Sequence, residues 1–140
     1  LKKFLTEEHQ PTSMVLMVQN EVAKRIVARD GKESILSISV KAYGEPKLIM
    51  KVSARYFSPA PKVDSAVIKI NNISRKVFKD NKISEEKFWE IVKAGFAHKR
   101  KKLSSNLKTE GFIVDEETLK NKRAEDLSLQ NWIEFAKSLM

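Results

Sequence analysis

The sequence FSPAPKVDSAVIKI, residues 57–70, joins a proline-rich segment to a run with the composition of a strand. Pro59 and Pro61 each fix φ and disfavour helical geometry in the preceding residue, so the segment is expected to be extended. Neither proline can donate a hydrogen bond to a sheet ladder, and the segment is therefore predicted to lie outside the sheet. Apolar residues then occupy both alternating positions as far as Ile70, which predicts a well-buried strand.

Phe57 stands at the start of this stretch, where the rigid segment would hold it beside the sheet. A ring presented in this way can stack on a planar ligand, or it can fill the hydrophobic core. Most aromatic side chains are buried for packing, so the residues alone favour the core.

Composition restricts the functions that are open to the chain. Its 140 residues and 41% hydrophobic content are sufficient for a folded domain with a core. The chain has no cysteine, which excludes disulfides, thiol nucleophiles and cysteine-based zinc sites. Its two histidines are far apart, and no metal site is expected. No apolar run approaches the roughly 20 residues that cross a bilayer.

The net charge of +9, from 27 basic and 18 acidic residues, is typical of a protein with a polyanionic partner. A solvated surface that keeps the protein in solution is the alternative. The positive charge is spread along the chain, with a net charge of +5 before Asn72 and +4 after it, so it does not form a detachable tail. The chain begins without methionine, in what reads as the middle of a helix, and we expect a fragment of a longer protein.

The first half of the chain has α/β patterning. A helix ending before Pro11 is followed by residues 12–18, a continuous apolar run typical of a strand buried on both faces in a parallel sheet. Residues 19–28 have helical spacing. Residues 35–43 alternate as a strand does, and a turn at residues 44–46 precedes another candidate strand at residues 47–52.

The second half has helical patterning throughout and follows a polar connector at residues 71–76, the predicted domain boundary. Ser84, Asp115 and Ser128 are candidate N-caps for three of its helices. A further short helix is expected at residues 103–107. The apolar stripes are expected to form a core and not a cofactor site; they comprise Phe88, Ile91, Val92 and Phe96 in one helix and Trp132, Ile133, Ala136, Leu139 and Met140 in another.

A basic run follows the first of these stripes and is predicted to continue its helix. It consists of Lys99, Arg100, Lys101 and Lys102, preceded by His98. Cations placed near a phosphate backbone displace counterions, which gives affinity without reading of sequence. A solvated helix end is the alternative. Four adjacent cations with no carboxylate between them favour a polyanionic partner over a solvated helix end.

Three segments together resemble the small-subunit ribosomal RNA adenine dimethyltransferases (the KsgA and Dim type) over nearly the whole chain. Residues 57–65 are similar to that family's F-x-P-P-P-K-V-D-S loop, with Ala60 in place of the middle proline. Residues 16–25 are similar to L-M-x-Q-K-E-V-A-x-R, and residues 96–107 to F-x-Q-R-R-K-x-L-x-N-x-L. His98 replaces the glutamine, and Lys99 replaces the first arginine, which keeps the charge but loses a bidentate fork.

The resemblance implies an α/β fold in which residues 1–72 form the C-terminal part of a doubly wound, Rossmann-like methyltransferase sheet. Residues 73–140 would then form a small all-helical RNA-binding domain. It also implies that residues 34–43 are helical despite their alternation. The family's cofactor, S-adenosylmethionine, is held by a glycine-rich turn, and its target adenine by an N-[LI]-P-[YF] motif. Neither motif is present, so we expect the missing N-terminal half to bind the cofactor.

The implied activity is methyl transfer from S-adenosylmethionine to the exocyclic amines of adjacent adenosines in small-subunit rRNA during ribosome maturation. Phe57 would stack on the target base, within a substrate-binding loop that includes Pro59, Pro61 and Lys62. The cations implied to contact RNA are Lys24, Arg25, Lys99, Arg100, Lys101 and Lys102. The implied protein is a cytoplasmic monomer whose partner is small-subunit rRNA or a ribosomal subunit precursor, and this fragment would be inactive alone.

Two alternatives stay open. The related large-subunit rRNA adenine methyltransferases share the phenylalanine-proline loop but usually lack the basic segment at residues 96–107. A non-catalytic assembly factor on the same fold would use only the basic surface. The sequence upstream of Leu1 separates these possibilities, because an intact glycine-rich turn and N-[LI]-P-[YF] motif would support catalysis.

Overall fold

A computed structural model describes residues 1–28 and 31–139. Its three strands are β1 (Met14–Gln19), β2 (Glu45–Val52) and β3 (Ser65–Asn71). Its helices are α1 (Lys2–Thr6), α2 (Asn20–Val27), α3 (Ile35–Lys41), α4 (Lys76–Asp80), α5 (Glu85–Gly95), α6 (Leu103–Thr109), α7 (Glu116–Leu119) and α8 (Leu129–Ser138). Single 3₁₀ turns form at Ala54–Tyr56 and Ala124–Asp126.

The three strands form one sheet in the order β1-β3-β2, with β3 antiparallel to both neighbours. The predicted strand after the proline-rich segment is therefore confirmed as the central strand, and the prolines lie outside the sheet. The expected parallel pairing of β1 is wrong for this sheet, because Met14 pairs antiparallel with Ile70. The turn expected at residues 44–46 is shorter than predicted, since β2 already begins at Glu45.

The expectation that the first strand is buried on both faces is also wrong. Val15 and Met17 are 63% and 56% exposed, whereas the alternate residues of β1 are half-buried. Helix α2 contacts all three strands and packs across one face of the sheet. Val15 and Met17 occupy the other alternating positions of β1 and face solvent.

Helix α3 confirms that residues 35–41 are helical despite their alternating pattern. The hydroxyl of Ser34 accepts from the Ser37 N–H (3.1 Å), and the Ser37 hydroxyl accepts from the Ser34 N–H (2.8 Å). This reciprocal cap satisfies two donors at the start of the helix. Ile38 and Val40 of this helix are then buried in the hydrophobic core.

The helical half contains the predicted caps and apolar stripes. The Ser84 hydroxyl accepts from the Lys87 N–H at the start of α5, and the Ser128 hydroxyl accepts from the Asn131 N–H at the start of α8. The stripe residues Phe88, Ile91, Val92, Trp132, Ile133 and Ala136 are buried. Met140 lies outside the described residues. One core runs through both halves, and the division of the chain at residue 72 stays a prediction.

The prediction that the basic run continues helix α5 is wrong. The helix ends at Gly95, and residues 96–102 form a turn that leads into α6. Gly95 packs so closely that an added Cβ would lie 2.6 Å from Cη2 of Trp132 and 2.8 Å from Cδ1 of Leu103. The end of α5 is therefore packed against α8 and α6, a contact that local sequence cannot indicate.

Candidate nucleic-acid interface

Asp64 ties the loop of residues 57–64 to the sheet and to α2. Its Oδ1 accepts from the Ala54 N–H (2.9 Å), and its Oδ2 lies 3.3 Å from Nζ of Lys51. Its carbonyl accepts from the N–H of Asn20, the first residue of α2 (2.9 Å). The Ala54 N–H and then the Lys51 ammonium hold the pKa of Asp64 below its usual range. The loop is therefore fixed at its C-terminal end.

Phe57 follows the 3₁₀ turn at the other end of the loop. Its N–H donates to the Ala54 carbonyl (3.2 Å), which fixes the backbone that carries the ring. The side chain is half-buried, and among the described residues it does not belong to the hydrophobic core or to the side chains packed against it. The core-filling alternative is therefore not realised, while a role for Phe57 in base stacking stays a prediction.

The other predicted loop residues, Pro59, Pro61 and Lys62, are exposed. The Ser58–Pro59 peptide bond is cis. Lys62 has no ion-pair partner in the part of the chain that the structure describes, so its charge faces solvent. Lys62 therefore gives the exposed part of the loop a positive charge.

Helix α2 places Lys24 and Arg25 near this loop. Both side chains are exposed, and they lie in the last turn of the helix whose first residue, Asn20, is bonded to Asp64. An α-helix rises about 1.5 Å per residue, so Lys24 is only about 6 Å further along the axis than Asn20. Lys24 and Arg25 therefore lie on the helix that begins where the loop ends, and their role as RNA contacts stays a prediction.

The remaining predicted cations, Lys99, Arg100, Lys101 and Lys102, are all exposed in the turn between α5 and α6. This turn, residues 96–102, is called the basic turn below. The Lys101 N–H donates to the His98 carbonyl (3.1 Å) and closes the turn. In the described ranges no hydrogen bond or ion pair joins the basic turn to the loop of residues 57–64.

Asn106 holds the basic turn in place and was not predicted as a functional residue. Its side chain is buried, and its Nδ2 donates to the carbonyls of Gly95 (2.9 Å) and His98 (3.0 Å). These are carbonyls at the end of α5 and in the basic turn, which lack helical partners. The F-x-Q-R-R-K-x-L-x-N-x-L pattern gave no signal for it, because the asparagine of that pattern falls on Ser105 and Asn106 occupies the variable position after it.

A second set of contacts joins the segment before α3 to the helical half. The Glu33 N–H donates to the Glu125 carbonyl (3.0 Å), and Nζ of Lys32 lies 2.9 Å from Oδ1 of Asp126. The Leu103 N–H, at the start of α6, donates to the Lys122 carbonyl (2.9 Å). The 3₁₀ turn at Ala124–Asp126 and the residues just before it therefore contact both the segment before α3 and the start of α6.

Tyr43 joins the sheet half to α5. Its hydroxyl donates to Oε1 of Glu85 (2.8 Å) and accepts from Nε1 of Trp89 (3.1 Å). Arg75 bridges the same carboxylate to the end of α1, since its Nε donates to Glu85 Oε2 (3.0 Å) and its Nη2 to the Thr6 carbonyl (2.8 Å). Burial, above all, raises the pKa of Tyr43 to about 12.

The residues present do not fit S-adenosylmethionine. Gly44 and Gly95 are packed against side chains, whereas Gly31 and Gly111 lie in surface turns at positive φ. Strand β1 passes directly into α2 at Gln19 without a glycine-rich turn. Among the described residues no cluster of three or more His, Asp or Glu side chains could hold a metal ion, and no helix has the length and apolarity to span a bilayer.

The profile of the family described as "Ribosomal RNA adenine dimethylase" matches residues 1–140. A ribosomal RNA small subunit methyltransferase A from Fusobacterium nucleatum is 42% identical, over 87% of this chain and 49% of that protein. One from Dehalococcoides mccartyi (strain CBDB1) is 37% identical, over 94% of this chain and 48% of that protein. The chain therefore spans about half the length of these relatives.

Two solved structures share the fold. A dimethyladenosine transferase from Plasmodium falciparum superposes with a TM-score of 0.72 at 23% identity, over 94% of this chain and 59% of that one. The 23S rRNA methyltransferase ErmE superposes with a TM-score of 0.68 at 18% identity, over 97% of this chain and 57% of that one. The expected α/β fold class, with a sheet followed by helices, is confirmed.

Proposed function

Because the chain belongs to the ribosomal RNA adenine dimethylase family, we propose that it is part of an rRNA adenine dimethyltransferase. The enzyme would transfer methyl groups from S-adenosylmethionine to the exocyclic amines of adjacent adenosines in small-subunit rRNA during ribosome maturation. The observation that carries the proposal is the position of Phe57. Its side chain is half-buried outside the core, on a loop whose other end is fixed to the sheet and to α2 by Asp64.

The chemistry requires positioning more than a strong base. An adenine amine is a poor nucleophile because its lone pair is delocalised into the ring, so the enzyme must orient that nitrogen and exclude water. Reaching the amine also requires that the base leave its stack, which an aromatic platform offsets by about 1–3 kcal/mol per base. In this proposal Phe57 is that platform, and Asp64 keeps the loop in place.

The cations have a separate role in the proposal. Lys24, Arg25 and Lys62 lie on or near the loop and would hold phosphates beside the target base. The basic turn would grip structured RNA through its phosphates, by shape and not by sequence. The contacts of Lys32 and Glu33 with residues 125–126 support the proposal, since they join the half of the chain that carries the loop to the half that carries the basic turn.

In this proposal the cofactor binds to the part of the enzyme that this chain does not span. S-adenosylmethionine supplies the methyl group when bound, and the residues of this chain would orient the base that accepts it. We further propose that the protein is a cytoplasmic monomer and that this chain alone is inactive. The names of the relatives favour small-subunit rRNA over large-subunit rRNA as the substrate.

The test is methyl incorporation by the full-length protein. Small and large ribosomal subunits that lack the methylation are incubated with radiolabelled S-adenosylmethionine, and the digested rRNA is separated by chromatography. The expected product is N6,N6-dimethyladenosine in the small subunit only, with a signal at least about tenfold above the isolated 140-residue chain. Incorporation confined to the large subunit, or none in either, would contradict the proposal.

A further inference from the structure

Tyr56 is the most exposed aromatic side chain among the described residues and has no part in the function proposed above. It is 71% exposed, compared with 54% for Phe4, the next most exposed. We propose that Tyr56, together with Arg55, stacks on a second, unpaired RNA base beside the adenosine taken by Phe57. The proposal rests on the proposed function, because it takes RNA as the ligand of the loop.

The side chains of Tyr56 and Arg55 already form a stacked pair. Cζ of Arg55 lies 5.1 Å from the centroid of the Tyr56 ring, and its Nη2 lies 3.1 Å from the Tyr56 hydroxyl. The guanidinium covers part of the ring, yet most of the ring surface stays open to solvent. A base can therefore add to this pair, since bases in single-stranded RNA stack on tyrosine rings and on guanidinium planes.

The backbone beneath this pair is fixed. The Tyr56 N–H donates to the Ser53 carbonyl (3.2 Å), and the Ala54 N–H donates to Asp64 (2.9 Å). A ring on an ordered turn loses little conformational freedom when a base stacks on it.

The charge around the pair favours RNA over a neutral partner. Residues 51–64 contain three cations, Lys51, Arg55 and Lys62, and one acid, Asp64. The carboxylate of Asp64 is paired with Lys51, so the cationic surplus on the loop faces solvent. Extrusion of the target adenosine breaks its stacking on a neighbouring base. A base flanking the target is therefore the ligand class that fits a platform directly before Phe57.

Two variants of the full-length protein separate the ring from the hydroxyl. Tyr56→Leu removes the aromatic face and keeps an apolar side chain, whereas Tyr56→Phe keeps the face. Filter binding to unmethylated small-subunit rRNA is expected to weaken about 5- to 150-fold for Tyr56→Leu, the equivalent of one stacked base. The Kd of Tyr56→Phe for the same rRNA should stay within about twofold of the wild-type value. The salt dependence should be unchanged in both, because no phosphate contact is lost.

Thermal melting provides the folding control, and both variants should melt as wild type does because Tyr56 lies outside the core. Wild-type affinity in Tyr56→Leu, or equal losses in both variants, would overturn the second stacking site. Either result, with wild-type methyl transfer intact, leaves the proposed function standing. A wild-type protein that neither binds nor methylates small-subunit rRNA would instead contradict the proposed function.

Discussion

Single side chains in this protein hold loops in position. Asp64 joins three backbone or side-chain partners at the end of the loop, and Asn106 joins α5 to the basic turn. The loop could be predicted from its sequence because Pro59, Pro61 and the strand after them are contiguous. The roles of Asp64 and Asn106 could not, because their partners are defined only once the chain has folded.

Replacing Asn106 by alanine should destabilise the protein and weaken RNA binding. The change removes two hydrogen bonds from buried or half-buried carbonyls, a loss of about 1–3 kcal/mol in the free energy of unfolding. The basic turn should then lose its fixed shape and bind small-subunit rRNA less tightly. Chemical denaturation and filter binding measure the two effects.

Ser105→Ala is the matched control, since Ser105 is the exposed neighbour of Asn106 on α6. It should change the free energy of unfolding by less than about 0.5 kcal/mol. An Asn106→Ala protein with wild-type stability and wild-type RNA affinity would show that the two hydrogen bonds do not organise the basic turn.

Among the elements, α3 and α5 are connected through Tyr43, Glu85 and Trp89. The Tyr43 and Trp89 rings stack with centroids 6.1 Å apart, and Phe78 lies 5.4 Å from Tyr43. Arg75 adds the end of α1 to the same carboxylate. This network joins α1 and the end of α3 to the start of α5.

Titration of Tyr43 should loosen this connection at high pH. Burial raises the pKa of Tyr43 from 10.0 to about 12 in the folded protein. A raised folded pKa means that the stabilising contribution is complete below about pH 10 and is lost as the pH rises through about 12. Thermal melting between pH 8 and pH 12 should show this loss in the wild-type protein.

The Tyr43→Phe variant lacks the hydroxyl and should melt at a lower temperature at pH 8, since Glu85 and Trp89 each lose a partner. It should also show a smaller decrease in melting temperature as the pH rises. Tyr56→Phe, a change at an exposed tyrosine, is the control and should keep the wild-type profile. Parallel pH profiles for wild type and Tyr43→Phe would contradict the role of Tyr43.

The elements also show where patterns fail. Residues 35–41 alternate like a strand, and the Ser34 cap decides that they are a helix. The basic run continues a helical pattern, but the helix ends at Gly95, which lies against Trp132, a residue distant in sequence. Burial on both faces was predicted for β1 from its apolar run, yet its exposure depends on which elements cover the sheet.

At the scale of the whole molecule, the predicted site consists of two parts with different roles. The loop, with Lys24 and Arg25 nearby, would act on the target base, and the basic turn would grip the surrounding RNA. The charge of +9 predicted a polyanionic partner, but composition could not indicate how the cations are distributed. Their arrangement depends on long-range contacts such as Glu33 with Glu125.

The most direct test compares Phe57→Ala with a Lys99→Ala, Arg100→Ala, Lys101→Ala triple variant in the full-length enzyme. Single-turnover methyl transfer is measured over a range of concentrations of unmethylated small-subunit rRNA, which separates the rate at saturation from Kd. Phe57→Ala should lower the saturating rate about tenfold or more with Kd within about threefold, because the stacking it loses offsets the cost of base extrusion.

The triple variant should raise Kd and should reach the wild-type rate at saturating RNA. The slope of log Kd against log salt concentration should fall by up to about three, one for each lost phosphate contact. This opposite pattern is the predicted result. A Phe57→Ala enzyme that transfers methyl groups at the wild-type rate when saturated with RNA would contradict the division of roles between the loop and the basic turn.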